Sequence, residues 1–326
     1  MRRSRAFVAF GILLVVLAIG TISTRSQAAG KEGAGAGQAA APVAVTHAAG
    51  AHPNELLPLI ASREVPVFGR FVKPGASPDV LPSDAACPPD MVEVEGDYCP
   101  YVEEKCLRWL DPVTKLQCAE FEKPAAGSPH CYMKTQHQRF CVDRYEWPNK
   151  SGAMPQLMAS WVEAKASCES IGKRLCNDTE WTLACEGPEM QPYPYGNGYT
   201  RDDAACNIDK PYIWPHPEKV YDPRTSAEEL ARLDQREPSG SRSSCVSPYG
   251  VHDMTGNVDE WVVNVSQFGH PFVSGLKGGY WGPVRTRCRP MTTAHEPTFR
   301  YYQIGFRCCG AAHDADFGGG SPMASR

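Results

Sequence analysis

The residues of this sequence best able to do chemistry are its fourteen cysteines. Thiolates can ligate soft metals, act as nucleophiles or pair as disulfides. The first is Cys87, and no two are spaced as Cys-x-x-Cys, so the spacing typical of a structural zinc site is absent from the sequence. An even number of cysteines without metal-ligand spacing predicts disulfides, and therefore an oxidising compartment.

Other catalytic patterns are absent from the 326 residues. The sequence has no His-x-His-x-Glu or His-Glu-x-x-His metal pattern and no Gly-x-Ser-x-Gly nucleophile turn. His252 lies beside an acidic loop, and we interpret it as structural. Lys and Arg total 33 and Asp and Glu total 37, a net charge of −4. We therefore expect no nucleic-acid partner, because such binding depends on clustered positive charge.

Two helices must position some of these cysteines. Ser160 and Glu163 form a capping box, which predicts a helix directly after it, and Asn177 and Glu180 repeat the pattern. A glycine ends each predicted helix. Each helix carries one cysteine on its inward face, Cys168 and Cys185 respectively.

The C-terminal third has short β-type runs separated by Gly, Pro and Asn. These runs predict strands within 260–265, 272–281 and 305–309. The stretch 211–244 shows neither a helical nor a strand period. A chain with few helices, short strands and long loops needs covalent cross-links, which the cysteines supply.

The N-terminus is typical of an export signal, with a positively charged start and a mostly apolar run over 7–22. Cleavage after Ala28 would release a periplasmic or secreted protein. Retention would leave an inner-membrane anchor, the one membrane contact that we expect. The chain then divides into a signal peptide or anchor, a low-complexity tether and approach segment, a compact domain and a disordered tail: 1–28, 29–86, 87–310 and 311–326.

Several segments together resemble one known family. They are Met91-Val92-Glu93-Val94, Cys141-Val142-Asp143-Arg144-Tyr145-Glu146, Gly172-Lys173-Arg174-Leu175, Glu180-Trp181, Tyr193-Pro194-Tyr195-Gly196-Asn197, Tyr249-Gly250-Val251, Gly256-Asn257-Val258-Asp259-Glu260-Trp261, Lys277-Gly278-Gly279-Tyr280-Trp281 and Gly305-Phe306-Arg307-Cys308. Each motif is short, but their shared order resembles the formylglycine-generating enzyme (sulfatase-modifying factor) family over about 87–310. The resemblance implies an α+β, C-type-lectin-like fold, low in regular secondary structure and here rich in disulfides.

The resemblance also bears on catalysis. Enzymes of this family bind copper with two cysteines that follow the Gly-Gly motif, because soft thiolates select Cu(I). Here the first cysteine position is occupied by Gly282 or its neighbour, the second is lost in a shortened loop, and only Cys288 remains. We therefore expect neither bound copper nor a catalytic cysteine pair.

The resemblance further implies two disulfides, Cys168 with Cys308 and Cys185 with Cys288. Cys309, Cys206 and Cys245 are the remaining candidates to replace the missing copper ligands, although further disulfides are the simpler interpretation. The six cysteines from Cys87 to Cys141 are additional to the family pattern. Their connectivity stays open among 15 arrangements.

Calcium is the cofactor that the resemblance predicts. The matching loop would supply carboxylates from Asp253 and Glu260 and backbone carbonyls from Gly256 and Val258, the hard oxygen ligands that calcium requires. A second family site begins at a position matching Asn207-Ile208.

Two residues match the region of the family's peptide-binding cleft. Trp281 and Arg287 would line it, where aromatic and guanidinium groups can hold a ligand. A packed Trp and a surface Arg are the alternative.

Three functions are consistent with the sequence. The first is an exported, calcium-stabilised binding or accessory module without the copper cysteines, which would engage an exported protein or peptide. The second is an oxidoreductase of formylglycine-generating type that oxidises a cysteine of a protein substrate. The third is a membrane-tethered sensor or accessory domain.

Overall fold

The computed structural model describes residues 85–125, 131–267 and 271–313. The predicted signal, nearly all of the predicted tether and the end of the predicted tail lie outside the described residues: 1–28, 29–84 and 314–326.

The described residues form ten strands and four helices. The strands are β1 Met91–Tyr98, β2 Cys106–Trp109, β3 Cys118–Phe121, β4 Gln136–Asp143, β5 Arg174–Leu175, β6 Asp259–Val263, β7 Ser274–Lys277, β8 Met291–Thr292, β9 Ile304–Phe306 and β10 Cys308–Ala311. The helices are α1 Trp161–Glu169, α2 Asp178–Glu186, α3 Pro217–Val220 and α4 Ser226–Leu233. Short elements joined by long loops make this an α+β domain, as predicted.

Two four-stranded sheets carry the domain. The first has the order β1-β4-β10-β5, so the first and the last strands both pair with β4. The second has the order β8-β7-β6-β9, and β6 and β9 pair in parallel. The hairpin of β2 and β3 is separate from both sheets.

Both predicted helices are present where their capping boxes indicated. The hydroxyl of Ser160 accepts from the N–H of Glu163, whose carboxylate accepts from the N–H of Ser160 in return. In α2 the N–H of Asn177 donates to the carboxylate of Glu180 at 2.8 Å. Because these caps satisfy N–H groups that lack helical partners, they fix where each helix begins.

The strand predicted within 272–281 is shorter than expected. β7 ends at Lys277, because Gly278 and Gly279 follow with φ of +87° and +71°. Few residues other than glycine adopt this left-handed backbone. The chain therefore leaves the sheet before Trp281.

The prediction that 211–244 lacks regular structure is wrong. This stretch contains the short helices α3 and α4. Leu230 and Leu233 of α4 pack with Val220 in one apolar cluster, and the signal was missed because two leucines in eight residues give too short a pattern.

The domain also reaches slightly beyond both predicted edges. β10 extends to Ala311, and the N–H of His313 donates to the carbonyl oxygen of Ala86 at 2.9 Å.

All fourteen cysteines are paired, in seven disulfides. The pairs are Cys87–Cys141, Cys99–Cys131, Cys106–Cys118, Cys168–Cys308, Cys176–Cys309, Cys185–Cys288 and Cys206–Cys245. Two of them are the pairs that the resemblance implied for α1 and α2. The six cysteines additional to the family pattern pair among themselves, and the three candidates for replacing the copper ligands are all in disulfides.

Two of the apolar clusters that form the core each contain a buried tryptophan. Trp181 of α2 lies in a cluster that includes Cys185 and Cys309, and Trp261 of β6 lies in a second cluster with Cys168. The disulfides between helices and C-terminal strands are therefore part of the packed interior.

Candidate functional site

A buried ion pair lies beside the loop that the resemblance assigns to calcium. Nε and Nη2 of Arg307 donate to the two carboxylate oxygens of Glu260, at 2.7 and 2.6 Å. Nε1 of Trp181 donates to the same carboxylate at 2.7 Å. A calcium ion on Glu260 would therefore share this carboxylate with the Arg307 cation, and like charges at such distances repel.

Two further carboxylates are buried nearby. Glu146 accepts from Nδ2 of Asn257 at 2.7 Å, and Asp253 accepts from the N–H of Gly240 at 2.6 Å. Burial raises the pKa of Asp253 to about 6, and burial together with the Asp253 charge holds the pKa of Glu146 well above its usual range. With Glu260, three carboxylates face the Arg307 guanidinium.

The two segments predicted to bind calcium lie side by side. The N–H of Asn257 donates to the carbonyl oxygen of Asn207 at 2.9 Å, and the side chain of Asn207 donates to that of Asn257 at 3.0 Å. Among the described residues, Oδ1 of Asn207 is buried without a hydrogen-bond partner. A buried oxygen without a donor fits a hard cation, so Asn207 is better suited to calcium than Glu260.

The other predicted calcium residues are interior residues of these two segments. Ile208, Gly256 and Val258 are all buried, and the N–H of Val258 donates to the carboxylate of Glu146 at 3.2 Å. No group of three or more His, Cys, Asp or Glu side chains in the described ranges is arranged to hold a metal ion. A calcium site here would rely on amide and backbone oxygens.

His252 lies against this cluster. Its ring stacks on Tyr145 with the centroids 5.1 Å apart, and its carbonyl oxygen accepts from Nη2 of Arg307 at 2.9 Å. These contacts agree with a structural interpretation.

The position of the missing copper ligand is closed by packing. A Cβ added to the buried Gly282 would lie 2.6 Å from Cε2 of Tyr280, closer than real Cβ contacts. Residue 282 therefore cannot carry a thiol unless the tyrosine ring moves.

A cavity of about 740 Å³ lies beside Lys277, the residue that precedes the two glycines. Its cationic lining residues are Lys277, Arg285, Arg287 and Arg289. Its volume is within the range of small-molecule sites. The cavity is therefore the best-formed candidate binding site in the described part of the chain.

The predicted cleft residues Trp281 and Arg287 are not brought together. Arg287 lines the cavity. Trp281 does not, because it is buried against Tyr280 and Tyr302, with ring centroids 5.6 and 5.9 Å away. The expectation of a cleft tryptophan is corrected: Trp281 is a core residue, since the chain turns inward after the two glycines.

The residues that follow β1 cover part of this cavity. The carboxylate of Glu104 lies 3.1 Å from Nε of Arg287, and the carbonyl oxygen of Cys99 accepts from Nη1 of Arg289 at 3.0 Å. Tyr101, from the same segment, lines the wall.

Acidic groups also lie beneath the cations. Glu186 of α2 accepts from Nη2 of Arg289 at 2.7 Å, and burial raises its pKa to about 7. Burial likewise raises the pKa of Glu104. In the opposite sense, burial lowers the pKa of Lys277 to about 8, because desolvation disfavours the charged form of a base.

The sequence interpretation missed most of this cavity. Of its cations it named Arg287 alone, although Arg285, Arg287 and Arg289 alternate along the chain and could have indicated a shared side. Glu104 and Glu186 gave no local signal, since tertiary contacts alone bring them there.

Comparisons with known proteins agree with the resemblance. Residues 95–312 match the sulfatase-modifying factor enzyme 1-like domain family. Inactive C-alpha-formylglycine-generating enzyme 2 of Bos taurus is 27% identical over 187 residues, which are 52% of this chain and 58% of that protein. Formylglycine-generating enzyme of Thermomonospora curvata is 32% identical over 164 residues, 48% of this chain and 50% of that protein. The chain thus spans little more than half the length of these curated relatives.

The solved structure of CarF aligns with 69% of this chain and with 99% of the CarF chain, with 14% identity and a TM-score of 0.43.

No helix in the described ranges is long and apolar enough to cross a bilayer.

The family match covers well over half of the chain. This chain therefore belongs to the sulfatase-modifying factor enzyme 1-like domain family, and its described residues have an α+β fold.

Proposed function

We propose that this protein is an exported, non-catalytic binding or accessory module of the sulfatase-modifying factor family. The observation that carries the proposal is the pairing of all fourteen cysteines in seven disulfides. A copper site of the family type needs two thiolates, and a disulfide sulfur is not a thiolate. With all its cysteines in disulfides, the folded chain has no thiolate with which to bind copper.

The local structure around the Gly-Gly motif supports the same proposal. A cysteine at residue 282 would require the ring of Tyr280 to move, and Cys288 is bonded to Cys185. The name of one relative, an inactive formylglycine-generating enzyme, is consistent with a family in which the fold persists without the activity.

Export and calcium are further parts of this proposal. Seven disulfides in one domain are typical of an extracellular or lumenal compartment, which is consistent with the predicted export signal. For calcium, the supporting features are the unpartnered buried oxygen of Asn207 and the surplus of carboxylates over guanidinium nearby. In this role calcium would stabilise the loops 207–208 and 253–260 and take no part in chemistry.

The experiment that tests the proposal counts free thiols in the folded, exported protein and then titrates it with Cu(I). We expect no reactive thiol, no stoichiometric copper binding and no oxygen-dependent oxidation of a cysteine-containing peptide. The C185A variant, unfolded in denaturant before its thiols are counted, is a matched control, since it releases one thiol at Cys288 that is buried in the folded domain and that the assay must then detect. Two reactive thiols that hold one copper ion, with oxidation of the peptide, would overturn the proposal in favour of the oxidoreductase.

A further inference from the structure

The 740 Å³ cavity is lined by four cations and by one carboxylate of the described residues, that of Asp178. The four cations that line it face three carboxylates, from Asp178, Glu104 and Glu186. Asp178 is already occupied by a neighbouring loop: it accepts from the N–H groups of Val265 and Ser266, at 2.9 and 3.3 Å. The remaining two carboxylates pair with Arg287 and Arg289, so neither Lys277 nor Arg285 forms a salt bridge with a carboxylate of the described residues.

Lys277 is the first of these two cations. Its side chain is buried, and Nζ donates to the carbonyl oxygen of Arg289 at 3.0 Å. The ammonium group also lies 5.2 Å from the ring centroid of Trp181. An ammonium group has three donors, and burying donors without acceptors is costly. Lys277 thus has donor capacity that a ligand oxygen can use.

Arg285 is the second cation without a salt bridge, and unlike Lys277 it is exposed to solvent. Its Nη2 donates to the hydroxyl of Thr292 at 2.6 Å. The Asp259 carboxylate acts on this guanidinium electrostatically, but no carboxylate of the described residues lies within ion-pair distance of it. A guanidinium carries five donors in a planar fork that matches carboxylate and phosphate.

Several buried polar atoms near these cations have no hydrogen-bond partner. In the described part of the chain, Nε of Arg289, Oε2 of Glu186 and Oε1 of Glu104 are buried without hydrogen-bond partners. Such atoms are uncommon in a finished interior. Nε of Arg289 is a donor that a ligand oxyanion can satisfy, whereas the two carboxylate oxygens require a donor such as a water molecule or a ligand hydroxyl.

The rest of the wall is partly polar, with Gln136 and Thr179 among its residues, and partly apolar. Tyr98, Val102 and Met291 lie on it, and Tyr98 contacts Arg289 with 5.9 Å between the ring centroid and Cζ. A cavity with such walls and a cationic end fits a molecule that has an apolar body and one anionic group.

We infer that this cavity binds an organic oxyanion, a carboxylate or a phosphate monoester, through Lys277 and Arg285. The inference rests on the proposed binding function and names the chemical class of its ligand. The same chemistry can come from a free metabolite or from an acidic residue of an exported peptide.

Isothermal titration calorimetry of the full folded chain tests this inference. The probes are inorganic phosphate, phenyl phosphate, 3-phenylpropionate and the capped dipeptide acetyl-Phe-Asp-amide. We expect at least one aromatic probe to saturate a single site, with a dissociation constant of about 1 mM or tighter. The affinity should fall with added salt. A preference for the dipeptide over the free anions indicates a peptide source, and the reverse preference a metabolite.

Two variants locate the binding. K277M should weaken it at least about tenfold, because it removes a buried charge-assisted hydrogen bond. R285Q should weaken it several-fold, and since Arg285 is exposed, this variant decides the question alone if K277M unfolds. K210M is the matched control, because Lys210 pairs with Glu237 and does not line the cavity.

The inference is overturned if the wild type saturates with none of the four probes, or if R285Q and K277M bind as the wild type does. These results do not depend on copper. A chain that binds the oxyanion and also holds copper would refute the proposed non-catalytic function and leave the oxyanion site standing.

Discussion

Arg307 and Glu260 form a two-point ion pair in which both side chains are essentially inaccessible to solvent, 0% and 1% exposed. The pair joins β6 to the residue between β9 and β10. It also holds the indole of Trp181 through the same carboxylate. Arg307 thereby links the second sheet to the α2 core.

The first prediction concerns this pair. R307M leaves Glu260 buried without its cation beside two more carboxylates, so we expect a loss of about 3–5 kcal/mol in the free energy of unfolding. Urea denaturation measures it. The K165M variant removes an exposed ion pair with Glu169 and should cost less than about 1 kcal/mol. Equal losses in the two variants would contradict a special role for the buried pair.

The second prediction concerns pH. Burial raises the pKa of Glu186 to about 7, against about 4.3 in an unfolded chain. The folded state keeps a proton that the unfolded state has released, so this group lowers stability as pH rises from about 4 to 7. Glutamine at 186 can still accept from Arg289 but does not titrate.

For E186Q we therefore expect a weaker fall in unfolding free energy between pH 5 and pH 7. The difference in slope should be at most about 1.4 kcal/mol per pH unit, the value for one proton. Arg289, Glu104 and Lys277 face the same carboxyl group, so they must be intact in the comparison. E169Q, at an exposed site, serves as the control. Parallel slopes for wild type and E186Q would refute the prediction.

The third prediction compares two disulfides. Cys168–Cys308 spans 140 residues and lies in the core, whereas Cys106–Cys118 spans 12 residues at the β2–β3 hairpin. Removal of either disulfide costs about 3 kcal/mol in the chain-entropy model, because Cys176–Cys309 still closes the long loop when Cys168–Cys308 is removed. Cys168 and Cys308 are both completely buried, so their replacement also leaves a cavity in the core. The C168A/C308A variant should therefore lose more thermal stability than C106A/C118A. A larger loss from the hairpin variant would contradict this order.

The fourth prediction uses two glycines with similar backbone angles. Gly256 and Gly172 have φ of +79° and +75°, but a Cβ on Gly256 would lie 2.4 Å from the carbonyl oxygen of Asn207, while Gly172 has no atom within 4 Å. G172A should cost about 1–2 kcal/mol, from the backbone alone. G256A should cost a further 1–3 kcal/mol or so, from the overlap. Chemical denaturation distinguishes them, and equal costs would show that the 207–256 contact is not rigid.

The fifth prediction tests calcium. If Oδ1 of Asn207 is a ligand, calcium in excess over EGTA should raise the midpoint of thermal unfolding by several degrees, since a ligand of the folded state stabilises it. N207A should lose this increase. N197A, which removes an exposed amide in a turn, should keep it. A midpoint that calcium does not change would remove calcium from the proposed function.

Local signals made much of the fold predictable. The capping boxes at Ser160 and Asn177 gave both longer helices, because a cap is a contact within four residues. The resemblance implied the two disulfides that join these helices to the C-terminal strands. Trp281 was misassigned because its direction depends on the backbone of Gly278 and Gly279, which a strand-like pattern does not reveal.

The candidate site was less predictable, because its members come from distant segments. Glu104 follows β1, Glu186 ends α2 and Lys277 ends β7. These three residues come close together only when their segments pack in the folded domain. Asn207 was expected to begin a calcium segment, but its unpartnered oxygen is a property of three-dimensional packing.

The pairing of β1 and β10 with β4 has a mechanical consequence. Ala86 and His313 are joined by a 2.9 Å hydrogen bond, and the Cys87–Cys141 disulfide begins at the next residue after Ala86. A stretching force applied between Ala86 and His313 would meet covalent cross-links within a few residues of each, at Cys87 and at Cys309. The load would be held by this sheet, and the 740 Å³ cavity would keep its shape under tension.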